Sequence, residues 1–335
     1  DIVLDAGGDL VGAVRIVRAG NVRLDDLGAL TLSGEMAGDV GLRAVGAVRL
    51  GGTQVGGALV IDAVGLVTTG ALTVAGTASL AAGVQGDIVM GVAGDFGGAV
   101  TIRSARDAVL LDGTALVLSG RIERDLVIQA AGISDHGALT VLGTSLLDAG
   151  AGQDIVLDDS AELTGRVQIV SARDVVLHGA QALTLSGTVH GALSLSAAQA
   201  LVFGATQVAG RLEANAASIA QDGALTVAGT SLLAARTGDL LLGDARNDFT
   251  GAVTVGAARQ LVLQDANVLT FSGTARGDAE VLAGTRLFLG ATNVTGQLRA
   301  QGNFTMTGDI TGDVINLVST NFLDMAGYTA TATGT

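Results

Sequence analysis

Short apolar triplets run the length of the chain, each with side chains at i and i+2 turned one way and a polar or small residue between them. Val22-Arg23-Leu24, Leu30-Thr31-Leu32, Val48-Arg49-Leu50 and Leu261-Val262-Leu263 are examples. That period of two is the signature of a half-buried β-strand. Between the triplets stand Gly-Asp, Gly-Asn and Asp-Gly pairs, residues that tolerate the backbone angles of tight corners. Gly or a β-branched residue falls inside nearly every window long enough for a helical turn, which argues against helix throughout.

The triplets belong to longer phrases that return in fixed order. Gly70-Ala71-Leu72-Thr73-Val74-Ala75-Gly76-Thr77 reappears as Gly137-Ala138-Leu139-Thr140-Val141-Leu142-Gly143-Thr144 and as Gly223-Ala224-Leu225-Thr226-Val227-Ala228-Gly229-Thr230. A second phrase starts at Ala29, Ala115, Ala182 and Val268, with spacings of about 86, 67 and 86 residues. A third and a fourth keep the same beat, at Gly12, Gly98, Gly165 and Gly251 and at Asp1, Asp87, Asp154 and Asp239. The short copy lacks about 19 residues, yet both flanks continue undisturbed, and a deletion is silent in a solenoid when it removes whole turns. The expected fold is therefore all-β, a right-handed parallel β-helix with about 19 to 21 residues per coil, about four coils per long repeat and about 16 coils in all. Like phrases would then lie above like phrases, with Leu and Val columns forming the core and Thr and Asn columns the faces. The expected organisation is a repetitive shaft over residues 1–300, followed by a divergent continuation of the same β-helix over 301–335 that is truncated at its end.

Composition agrees with closely stacked strands. The 335 residues include 51 Gly and no Pro, Cys or Trp, and 49% are hydrophobic, mostly Ala, Val, Leu and Ile. Absent proline suits a chain in which nearly every backbone N–H donates to a neighbouring coil. All basic residues are Arg, and 18 of them face 32 acidic residues for a net charge of -14, which repels nucleic acid and anionic membranes. No apolar run approaches a bilayer-spanning length, so no membrane insertion is expected. Residues 1 to 20 lack the layout of a signal peptide, so an export signal would lie outside this segment.

The phrases Asn247-Asp248-Phe249-Thr250-Gly251-Ala252-Val253-Thr254-Val255 and Ala266-Asn267-Val268-Leu269-Thr270-Phe271 resemble the repetitive shaft of filamentous-haemagglutinin-like exoproteins, large bacterial surface proteins exported by two-partner secretion. The likeness covers roughly residues 1 to 300. It implies a β-helical filament at the cell surface, working in adhesion, aggregation or biofilm matrix.

Candidate chemistry is sparse. Arg276-Gly277-Asp278 spells an integrin-recognition tripeptide and is a candidate receptor-binding site, although the aligned Ala37-Gly38-Asp39 shows that Gly-Asp is already the local corner. Asp1, Asp87, Asp154 and Asp239, and the pairs Asp25-Asp26 and Asp158-Asp159, are the carboxylates to weigh for acid-base or calcium chemistry, with turn formation as the competing duty. His136, His178 and His190 lack partners at ligand spacing. Ser171 and Ser186 sit in phrases whose sibling copies are also small. Ser104-Ala105-Arg106-Asp107 and Ser171-Ala172-Arg173-Asp174 suggest surface Arg-Asp pairing. No metal or cofactor is expected.

Repetition puts equivalent side chains in columns, whereas catalysis needs a single constellation. The expected role is a structural and adhesive rod of a secreted or cell-surface bacterial filament, not an enzyme. Its expected partners are further copies of itself, end to end or side by side, and glycans or receptors of host or neighbouring cells. The alternative is a carbohydrate-active or glycan-binding β-helix, either a polysaccharide lyase, a hydrolase or a spike-like protein.

Overall fold

The computed structural model describes residues 1–319 and 321–334. Every regular element among the described residues is a β-strand, every pairing recorded between them is parallel, and the chain winds as a β-solenoid of about 17 turns. No helix is long and apolar enough to cross a membrane. The chain divides into two compact units, Asp1–Val170 and Ser171–Thr335.

In the first unit, register builds two long apolar columns. One runs Ile2, Val22, Val40, Leu59, Ala78, Val100 and Leu118. The other runs Leu30, Val48, Leu66, Ile88, Ala108, Leu126 and Ser145. From Val22 to Leu118 and from Leu30 to Leu126 these side chains are buried, so each coil adds a layer to one continuous core. The second unit repeats the arrangement, with Val175, Leu193, Leu212, Ser231, Val253 and Phe271 in one column. A second column there holds Leu183, Leu201, Ile219, Leu240, Leu261, Ala279 and Leu298. Pairing continues to Ile310↔Ala330 and Gly312↔Ala332, and Phe304, Met306 and Ile310 are buried.

Partners in adjacent coils are about 18 to 22 residues apart, as Val22↔Val40 and Ala78↔Val100 show, so the 19 residues missing from the short repeat amount to one coil. One expectation needs correction. Ile2 and its repeat equivalent Ile88 occupy different columns, and the next equivalent, Ile155, lies under Ile133 and Leu116. The long repeat thus contains four coils and a fraction, and like phrases do not stack on like phrases. The columns tolerate this because any aliphatic residue of similar volume fills a core layer.

Sharp bends inside single strands come from glycine. Gly34 and Gly120 lie at φ +125° and +116°, and a Cβ at either would run into the carbonyl of Ile16 or Ile102 on the preceding coil. The chain bends there without leaving the hydrogen-bond ladder.

Candidate functional site

The acidic residues fall into three groups with different duties. The first sits at corners just before a strand, where a carboxylate or amide oxygen accepts the N–H of a residue on the next coil. Asp1, Asn21 and Asp39 do so in succession, to Asn21, Asp39 and Ala58, at 2.8, 2.9 and 2.8 Å. Asp107 and Asp125 continue the device towards Asp125 and Thr144. In the second unit Asp174, Asp239, Asp278 and Asp309 take the N–H groups of Ala192, Gln260, Gln297 and Thr329. Asp309 is held below the usual carboxylate range by the backbone and hydroxyl bonds from Thr329.

These contacts place the sequence candidates. Asp1 and Asp239 are ladder acceptors. Asp87 receives two bonds from the Arg106 guanidinium, at 2.9 and 2.5 Å, and Asp154 offers its carbonyl to Ile133. In Arg276-Gly277-Asp278, the Asp278 Oδ1 accepts from Gln297 at 2.8 Å, the Gly277 N–H donates to Arg259, and the Arg276 Nη1 donates to the carbonyl of Arg236 at 3.3 Å. Arg276 and Asp278 are both exposed.

The second group is buried, and only Asp26 of it stands among the sequence candidates. Asp26, Asp112 and Asp265 each bind the N–H two residues ahead with one oxygen. With the other they bind an N–H sixteen residues back, on the preceding coil: Leu10, Phe96 and Phe249. Each closes a loop at which the register shifts or the strand breaks. Burial pushes the Asp265 carboxyl above the ordinary aspartate range, against the opposing pull of its two N–H donors, with the Asp248 charge adding to the rise. Asp25 faces the other way and lies 3.8 Å from the Arg23 guanidinium. The recurrence of Asp at 26, 112 and 265 at the repeat spacing was the available signal.

The third group is a cluster on two neighbouring strands, Ile133–Val141 and Ile155–Leu163. Asp135 accepts the backbone N–H groups of Asp158 and Asp159, and Asp159 accepts that of Gly137. Burial raises the Asp135 carboxyl above its ordinary value, the Asp159 charge adds to this, and the N–H bonds oppose it. Asp244, by contrast, is drawn down to about 2 by the two-pronged Arg246 guanidinium. Among the described residues no group of three or more His, Cys, Asp or Glu is set to hold a metal ion. His136, His178 and His190 are all exposed, and Ser171 and Ser186 are half-buried. Arg106 bridges Asp87 and Asp107, and Arg173 lies 3.4 Å from Asp174, as the repeated Arg-Asp phrase suggested.

One surface feature differs between the repeat copies. Beside the Gly34 bend lies a groove of about 600 Å³ whose lining includes Arg15, Arg18, Ser33, Glu35, Gln54 and Thr73. Its backbone frame recurs in sequence as Ser119-Gly120, Ser186-Gly187 and Ser272-Gly273, but the two arginines do not. The equivalent positions carry Thr101 and Ser104, Gln168 and Ser171, then Thr254 and Ala257.

No curated protein and no solved structure matches the chain. A family model described as "Repeats of unknown function (DUF5649)" matches it three times, over residues 37–103, 105–170 and 190–256. These matches take in over half of the 335 residues. The chain is a member of that repeat family.

Proposed function

We propose that this chain is a structural and adhesive segment of a secreted or cell-surface bacterial filament, and that it performs no catalysis. The observation that carries the proposal is the coil-sized difference between repeat copies. A fold whose layers can be added or removed singly is suited to setting length and presenting surface. Most polar side chains with a defined duty in this chain serve the ladder itself: corner aspartates hold the next coil, buried aspartates close loops, and arginines bridge neighbouring carboxylates. Homotypic association of such segments is the form of partnership the reading favours.

Antibody labelling of the source cells, read by electron microscopy, tests it. Label on threads at the cell surface or in the surrounding matrix is the expected result. Label confined to the cell interior would overturn the proposal.

A further inference from the structure

We propose that the groove beside Gly34 binds a linear polysaccharide bearing carboxylate groups. The inference deepens the adhesive reading and rests on it only for its biological setting, because the binding itself is a property of the purified chain.

The argument begins with charge. In a chain of net charge -14, Arg15 and Arg18 both line one groove, and among the described residues neither guanidinium has a hydrogen bond or ion pair. Several other arginines are engaged, as in the pairs Arg106–Asp87, Arg121–Glu123 and Arg259–Asp239. The register shift between Ile16 and Ala19 is what puts them together: Ile16 turns into the core while Arg15, Val17 and Arg18 all stay exposed. Each unpaired guanidinium lining the groove is a planar fork suited to a carboxylate, whose two oxygens can take its parallel N–H bonds.

The groove's length supplies the polymer. Glu35, Gln54 and Thr73 are in register on successive coils, so one hydrogen-bonding side chain is presented about every 4.8 Å along the stacking direction. A ligand that meets such a ladder repeats its own hydroxyl groups along a line, as a polysaccharide does. Glu35 accepts hydroxyl donors but opposes ligand charge, so it limits affinity for an anionic chain. The second unit has the same ladder in Thr188, Gln207 and Thr226, yet Gln168 and Ser171 stand where the arginines would be. That contrast assigns the ladder to the scaffold and the anion preference to the one groove that departs from it.

The test is retention of the full chain on immobilised alginate, a linear polyuronate, against immobilised neutral dextran, at low and moderate salt. The expected result is binding to alginate and none to dextran. Arg15→Ala/Arg18→Ala should weaken it by about tenfold or more, and Glu35→Gln should strengthen it. Arg43→Ala/Arg49→Ala removes two other exposed arginines and should change it by less than about twofold. Circular dichroism confirms that each variant stays folded. Equal retention on dextran, no retention on alginate, or equal losses from the two arginine pairs would overturn the inference. The cellular location of the chain is measured separately, so either proposal can fail while the other stands.

Discussion

The corner at Asp112 and the corner at Gly179 occupy the same place in successive repeats, and they solve one problem differently. Leu110-Leu111-Asp112 ends in a buried carboxylate that binds two backbone N–H groups; Leu177-His178-Gly179 ends without a side chain. Asp26 and Asp265 share the first solution. Repetition therefore conserves the winding and not the fastening: the core layers fix where the strand lies, and a loop closure is added where the backbone would otherwise leave donors unmet.

The largest effect should come from removing the most buried fastening. Asp265→Ala leaves the N–H groups of Phe249 and Asn267 without their acceptor and should cost about 2–4 kcal/mol, read by urea unfolding. Asp26→Ala orphans the N–H groups of Leu10 and Gly28 in a more open setting, and about 1–2 kcal/mol is expected. A loss at Asp26 equal to that at Asp265 would break the link between burial and fastening.

Next in size is a gain. Ser145 and Ser231 point into core columns and their hydroxyls find no partner, whereas the repeat-equivalent Ala78 is apolar. Ser231→Ala should stabilise by about 1 kcal/mol, because a buried hydroxyl without a partner carries a desolvation cost. No gain, or a loss, in the unfolding midpoint would contradict that reading.

Smaller still is the attempt to install the missing fastening. A Cβ at Gly179 would meet nothing closer than 3.8 Å, so Gly179→Asp has room and offers its carboxylate to Gln181 two residues ahead. A change within about 0.5 kcal/mol in either direction is expected, small as for other substitutions clear of the core. A large loss would show that this corner excludes a side chain.

The smallest effect is one of pH. The folded Asp265 carboxyl ionises above the unfolded one, so its contribution is fully present below the ordinary aspartate range and is lost as pH rises through the folded value. Wild type measured against Asp265→Asn should therefore look relatively better at acid pH than at neutral pH. The opposite slope would mean that the two N–H bonds outweigh burial.

The winding was legible in the sequence because a period of two, with Gly-Asp corners between triplets, leaves few alternatives, and a missing stretch the length of one coil marked the unit. The columns were not, since the fraction of a coil in each long repeat appears only when strands are put in register: Ile2 and Ile88 look equivalent as text and stack differently in space. Asp26 was set beside Asp25 as a possible acid pair, yet adjacent strand residues face opposite ways, and only the partner sixteen residues back reveals its duty. The groove was hidden for a related reason, because Arg15 and Arg18 come to line it through a register shift that no alternation pattern shows.

The central claim is that one coil is an interchangeable layer. Deleting residues 40–58 brings Leu59 under Val22, Leu66 under Leu30 and Leu72 against Gly34, which keeps every column apolar and the Gly34 bend in place. Thermal unfolding followed by circular dichroism should show a cooperative transition and an undiminished strand signal per residue, whereas deleting only residues 40–49 should abolish both. Loss of the fold in the whole-coil deletion, or survival of the half-coil one, would contradict the account.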